Sequence, residues 1–477
     1  MNDAHTQSYR EQVLNRLGKD FASKASDDLC TALAQSSLEL ATDGLRSAAP
    51  GATLIIELQA PAEPGLELAD AVKRMRGTAP WADALDSTRA TLREGAGEEL
   101  ERTAGMLVNP TGVLREVYIR ETRERCFRAM APLRDHLQRN ETAAATAGIL
   151  PTQVCWLNQI IRTSVAPQVI AEMAADGLIR RIDVPRRLVR EIGATGAVVG
   201  AVVHRDTTHR GGEGVVVAVI DSEVAHRHPA FQDRVVQKKN FTAEPWGTPD
   251  HHGTAVAGII AARGDKLVGM APDAVIYNYK VLGSTEARDA DDFDLAHAIQ
   301  RALEDGVRIA NVSLGTRAVT NGASREVRAC NHAWAKGMAI VKSAGNNGPG
   351  EGTITCPGDA EGVIVVGATG RTGKGVQRYS SRGRTANGLA RPHLVAPGGT
   401  EQRGIDSCLV DGTFGDCGRG TTLAAPHVSG LLALLLEADP GLMPDEQRDL
   451  LTRMCTQLSG NENLQGKGLV SLANLPA

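Results

Sequence analysis

Five short runs, GVVVAVID at 214–221, AVIYNYKVL at 274–282, VRIANVSLG at 307–315, GMAIVKSAG at 337–345 and GVIVVGA at 362–368, are apolar almost residue for residue. A strand with one wet face alternates polar and apolar positions. These do not, which is the pattern of a parallel sheet buried on both faces. Helical segments such as DLAHAIQRALEDG separate them. Strand and helix alternating at this spacing specify an α/β fold in which helices sandwich a parallel sheet. Functional side chains in such folds gather beyond the carboxyl ends of the strands, and polar residues stand there: Asp221, Lys280, Ser313 and Asn346.

That texture begins near 190, so residues 191–477 read as one domain. Residues 38–190 read as a small α+β domain. Its strands are expected at ATLIIEL (52–58), CWLNQIIRTSV (155–165) and LIRRIDVPR (178–186). Helical spacing marks LELADAVKRM and CFRAMAPLRDHL, and APQVIAEMAADG reads as a helix ending at Gly177. Residues 1–37 form a polar leader with no readable role. At 477 residues and 42% apolar, the chain can bury a large core.

With 52 basic and 56 acidic side chains interspersed and a formal net charge of −4, there is no basic stripe for nucleic acid. The most apolar runs, GVVVAVI and LLALLLEA, are less than half the roughly 20 residues that span a bilayer, so no membrane partner is expected. The first thirty residues carry charges throughout and lack the apolar stretch of a signal peptide, so the expected location is cytoplasmic. Eight cysteines, none in a C-x-x-C pair, read as reduced thiols. Cys408 and Cys417 flank a glycine-rich loop and would bridge only in an oxidising setting. His226, His228, His251 and His252 match no zinc spacing.

Four segments carry candidate chemistry. Asp221 closes the first strand in AVIDSEV, His252 precedes a glycine in HHGTAVAGIIAA, Asn346 ends a strand in KSAGNNGPG, and GRGTTLAAPHVSG at 418–430 has the shape of a nucleophile turn entering a buried helix. Singly, each has a bland explanation as a turn former or cap. Together they fall in the order Asp, His, Asn, hydroxyl. With GMAPDAVIYNYKVL, NVSLG, SAGNNG, VIVVGAT, YSSRG and LVAPGG between them, they resemble the subtilisin-like serine protease family over residues 210–440. Residues 150–190 resemble more weakly the end of the propeptide of bacillopeptidase-type relatives.

The resemblance implies an endopeptidase acting on peptide or protein substrates. Asp221 would orient His252, His252 would serve as general base and then acid, and Asn346 would donate to the oxyanion with the backbone N–H of residue 422. Ser313, Leu314 and Gly315 resemble the segment that holds substrate by strand addition. The N-terminal domain would act as an intramolecular inhibitor. No cofactor is expected.

The chain departs from the family pattern G-T-S-x-A-x-P at its centre, since counting back from Pro426 places Thr422 where serine belongs. The hydroxyl is kept, but a methyl is added at the attacking carbon and χ1 is restricted. Thr421 is expected to project about 100° away around the helix, and Ser429 about 10 Å further along it. The alternative to an active enzyme is therefore an impaired relative that binds peptides in the retained cleft. Glu223 replaces the family's usual glycine, and its expected direction is toward solvent. Asp289, Asp291, Asp292 and Asp294 cluster before a helix, where carboxylates favour the dipole. Clustered carboxylates are also calcium ligands in some relatives, and the helix-start explanation is preferred.

Overall fold

The computed structural model describes residues 54–58, 110–139, 152–163, 179–183 and 189–190, isolated positions at 199, 201 and 208, and 210–475 apart from 265–266, 286–289, 317–319 and 459. The leader, the helix expected at 166–177, the LELADAVKRM helix and Asp289 lie outside the described residues. Two compact units divide the chain, the second containing everything from Arg187 onward.

In the first unit, β1 (Leu54–Leu58), β2 (Gln153–Cys155), β3 (Ile160–Thr163) and β4 (Ile179–Asp183) form an antiparallel sheet in the order β2-β3-β1-β4. Most of α1 (Pro110–Arg139) belongs to this unit. Its buried positions Cys126, Met130, Leu133 and Leu137 recur at helical spacing, and Gln159 Nε2 donates to Cys126 Sγ at 3.8 Å. The run at 155–165, expected as one strand, is a hairpin instead. It turns at residues 156–159, where Gln159 takes φ 55° without a glycine to signal it.

The second unit is built on a nine-stranded sheet. Its strands are β6 (Val216–Ser222), β7 (Val235–Asn240), β8 (Val275–Leu282), β9 (Ile309–Val312), β11 (Ala339–Ser343), β12 (Ile364–Thr369), β15 (Leu394–Pro397), β18 (Cys455–Thr456) and β19 (Leu469–Val470). Between these fall the two-residue strands β5 (Val189–Arg190) and β10 (Leu314–Gly315) and the hairpins β13 (Gly383–Arg384) with β14 (Ala390–Arg391) and β16 (Asp406–Cys408) with β17 (Phe414–Asp416). The order is β18-β19-β15-β12-β11-β9-β6-β8-β7, parallel from β19 to β7. Only β18 runs antiparallel.

Alternate residues of each central strand feed different layers, which is why the sequence shows continuous apolar runs. Val217 and Val219, Ala339 and Val341, and Ile364 and Val366 join the core formed with α2 (His251–Ala261) and α5 (Thr421–Ala438). Ala218, Ile220, Ile340 and Val365 are equally buried but belong to the other face. There α3 (Asp292–Glu304) and α4 (Arg325–Ala335) pack on each other and on β8 and β11. The helix α6 (Pro444–Arg453) and the short α7 (Glu462–Gln465) complete the unit.

The acidic cluster before α3 acts as a helix start. Asp291 caps Phe293 and Asp294, Asp294 returns the bond in a capping box, and Asp292 pairs with Arg325 at 3.0 Å. Among the described residues no group of three or more His, Cys, Asp or Glu is arranged to hold a metal ion.

Helix α5 is long and apolar, and 89% of it is buried inside the protein. Its His427 is fully buried, with Nδ1 donating to the Leu423 carbonyl at 2.7 Å. Burial pushes its pKa down to about 4, against the upward pull of the Leu423 and Ala424 carbonyls. The imidazole is therefore neutral when folded and titrates normally when unfolded. Stability from this group is complete above about pH 6.5 and is lost as pH falls toward 4, a change of roughly 3 kcal/mol. Thermal melts between pH 7 and 4.5 should show the melting temperature falling with acid, and His427→Leu should flatten that slope. An unchanged slope would mean that the acid sensitivity lies elsewhere, for instance at His393, which burial also holds well below its usual value.

Candidate active site

Parallel strands release their chains on one edge of the sheet, and the candidate residues gather there. Asp221 is the penultimate residue of β6, and His252 is the second residue of α2. His252 Nδ1 lies 2.7 Å from Asp221 Oδ1, with the carboxylate fully buried and the imidazole side chain 11% exposed. A buried carboxylate on Nδ1 fixes the tautomer and leaves Nε2 as the nitrogen that exchanges protons.

Local chemistry holds this pair in place. Asp250 caps α2 by accepting from the His252 backbone N–H at 2.9 Å. Ser222 Oγ donates to the same Asp250 oxygen at 3.1 Å and accepts from the Gly253 N–H at 2.9 Å. Gly253 is required by this contact, since a Cβ there would stand 2.5 Å from the Ser222 carbonyl oxygen. The Ser222 N–H completes the arrangement by donating to Asp221 Oδ1 at 2.7 Å.

On the same face of the sheet as α2, α5 begins at Thr421, with Thr422 as its second, fully buried residue. Helices α2 and α5 pack against each other. Pro426 has no N–H to give the carbonyl four residues back, which belongs to Thr422. Ser313 Oγ supplies that bond at 2.7 Å. Asn311 Nδ2 donates to Ser313 Oγ at 2.9 Å, and Ser429 Oγ donates to Asn311 Oδ1 at 2.9 Å. A fully buried polar chain thus runs under Thr422 and engages Ser429 away from it. In the sequence Asn311 shows only as a polar residue within an apolar strand, and its role follows from these bonds.

Thr421 has its hydroxyl committed to neighbouring groups. Its backbone N–H and its hydroxyl both donate to Asn346 Oδ1, at 2.9 and 3.1 Å, and its Oγ1 accepts from the Gly345 N–H at 3.0 Å. These bonds settle the amide of Asn346, with its oxygen on Thr421 and its nitrogen as the donor end.

Leu314 and Gly315 form β10, which pairs antiparallel with β5: Leu314 faces Arg190 and Gly315 faces Val189. An extended stretch of the chain itself therefore occupies the strand that the sequence reading assigned to substrate. Glu223, expected to face solvent, is instead 1% exposed. The reason is a partner distant in sequence: Lys280 Nζ donates to its Oε2 at 3.0 Å, with both side chains buried.

A family model described as the subtilase family matches residues 212–468. Serine protease AprX of Bacillus subtilis (strain 168) is 30% identical over 296 residues, covering 55% of this chain and 66% of that protein. This chain thus spans just under two-thirds of AprX. Subtilisin Savinase of Lederbergia lenta is 33% identical over 264 residues, covering 54% of this chain and 90% of that protein. The solved structure of the epidermin leader peptide processing serine protease (EpiP) of Staphylococcus aureus is similar in fold, with a TM-score of 0.56, 20% identity, and coverage of 69% of this chain and 94% of that one. With its family model matched over more than half its length and Savinase covered almost throughout, the chain belongs to the subtilase family, on the subtilisin-like α/β fold.

Proposed function

We propose that this protein is an endopeptidase that hydrolyses peptide bonds with Thr422 as nucleophile. The buried Asp221 bonded to His252 at 2.7 Å is the observation that carries the reading. As Thr422 Oγ1 attacks the scissile carbonyl carbon, His252 Nε2 takes its proton, and Asp221 stabilises the imidazolium. The carbonyl oxygen becomes an oxyanion, which receives hydrogen bonds from Asn346 Nδ2 and the Thr422 backbone N–H. Losing one such donor costs about 100- to 1,000-fold in rate. His252 then gives the proton to the leaving amine, leaving an ester on Thr422. Water, activated by the same imidazole, hydrolyses it. No metal enters this scheme.

The substrate backbone adds as a strand to Leu314–Gly315. Antiparallel pairing of Val189–Arg190 with that strand, inside the second unit, supports the reading that substrate is held in extended form; we propose further that residues 38–190 act as a propeptide-like inhibitor. We assign the protein to the cytoplasm. Cys330, Cys356, Cys408 and Cys455 are unbridged thiols, and burial pushes Cys417 and Cys455 up to about 12, which suppresses their reactivity.

Self-processing is the test. Val189 and Arg190 already hold strand register, so cleavage is expected shortly beyond them, inside the window from Pro185 to Gly200. Purified full-length Thr422→Ser protein should develop a new N-terminus in that window, mapped by mass spectrometry, faster than the native chain does. If the serine variant cuts other peptides well and leaves this window intact, the inhibitor assignment fails.

A further inference from the structure

Glu223 departs from the family's glycine one residue beyond the Asp221–Ser222 pair, and the reaction scheme gives it no work. Its carboxylate is nonetheless heavily engaged. Oε1 accepts from the Gly247 N–H at 2.8 Å and Gln237 Nε2 at 3.1 Å, and Oε2 accepts from the Thr248 N–H at 3.1 Å and Lys280 Nζ at 3.0 Å. Lys280 also reaches Glu244 Oε2 at 3.0 Å, Thr248 Oγ1 at 2.7 Å and the Pro245 carbonyl at 3.1 Å. All three charged side chains are buried. Such a cluster costs desolvation and persists only with its hydrogen bonds complete.

Its position connects it to the reacting groups. The carboxylate ties down Gly247 and Thr248, and its partner Lys280 ties down Glu244 and Pro245, in the loop that delivers Asp250 to the start of α2. The Glu223 main-chain carbonyl then accepts from the Asp250 N–H at 2.9 Å, and Asp250 holds both the His252 N–H and Ser222 Oγ. One residue thus anchors the loop by its side chain and the cap by its backbone, while Asp221 holds the imidazole and Ser222 holds Asp250 and the Gly253 N–H.

We propose that Glu223, clamped by Lys280, is a positioning residue that sets the His252 ring against Asp221 for proton transfer. The inference deepens the endopeptidase reading and rests on it. Where relatives place a glycine, this chain uses a buried ion cluster to fix the loop that precedes the histidine helix.

Glu223→Gln is the discriminating variant. Lys280 keeps Glu244 as counter-charge, so the ammonium is not left unpaired. An amide, however, offers one acceptor oxygen where four donors converge, and its own N–H groups must face some of them. The expected result on the full chain is a fall in kcat of roughly 10- to 100-fold with KM nearly unchanged, the scale of a small displacement of a reacting group. The far-downfield proton resonance of the His252 Nδ1–H to Asp221 bond should shift or broaden. Glu223→Asp, which keeps the charge and both acceptor oxygens, should recover part of both signals and covers the case in which the glutamine variant does not fold. A lower melting temperature with native kcat and a native resonance, or no recovery in the aspartate variant, overturns the proposal. The resonance reports on the clamp even if the chain cuts no peptide, so failure of the peptidase reading and failure of the clamp give different results.

Discussion

Asp221→Asn lowers peptide hydrolysis by about 10⁴-fold, and His252→Ala by at least as much, when each is measured in the faster Thr422→Ser chain. The asparagine keeps the shape of the site but cannot accept from Nδ1–H and stabilise a positive ring at once. It also turns an amide N–H toward the imidazole, favouring the wrong tautomer. The alanine removes the group that, in the proposed scheme, takes the nucleophile's proton. Because both changes act on one proton transfer, the double variant should be little slower than His252→Ala alone. Steady-state assays on an unstructured protein substrate give the rates, with circular dichroism confirming that each variant folds. Full activity in either single variant would mean that the hydrogen-bonded pair is not the reacting pair.

Much of this site was legible because its parts sit at strand and helix ends, where periodicity stops and single polar residues stand out. Asp221 follows a continuous apolar run, Ser313 and Asn346 follow strands that are mostly apolar, and His252 stands at the start of a helix of small residues. The central sheet was equally plain, since burial on both faces removes the alternation that polar positions would impose. What stayed hidden depends on pairing across the chain. The inward turn of Glu223 rests on Lys280, which no local pattern connects to it. The rescue of the Thr422 carbonyl by Ser313 follows from Pro426, but only once the strand and helix are known to meet. The hairpin at 156–159 turns on Gln159, a residue type that does not advertise a left-handed backbone.

Thr422→Ser raises turnover by roughly 10- to 100-fold. The serine keeps the hydroxyl but loses the methyl that restricts χ1, so Oγ samples the approach toward His252 more freely, and misorientation of a nucleophile costs rates of this order. The buried polar chain beneath residue 422 engages its main-chain carbonyl, so it is unaffected by the exchange. Thr422→Ala should remove turnover altogether, since Thr421 Oγ1 is committed to Asn346 and Gly345 and Ser429 Oγ to Asn311. Equal or lower turnover in the serine variant would show a cleft shaped around the methyl.

The most direct test of whether Thr422 attacks is covalent capture. A fluorophosphonate probe should react with the native full-length protein by forming a P–O bond to Thr422 Oγ1 with loss of fluoride, the hydroxyl proton passing to His252. Mass spectrometry of the tryptic peptide spanning 420–448 should place the adduct on Thr422 and not on Thr421 or Ser429, with labelling slower than in Thr422→Ser and absent in His252→Ala. No adduct on the native chain, under conditions that label the serine variant to completion, would contradict the account and leave a cleft that holds peptides without cutting them.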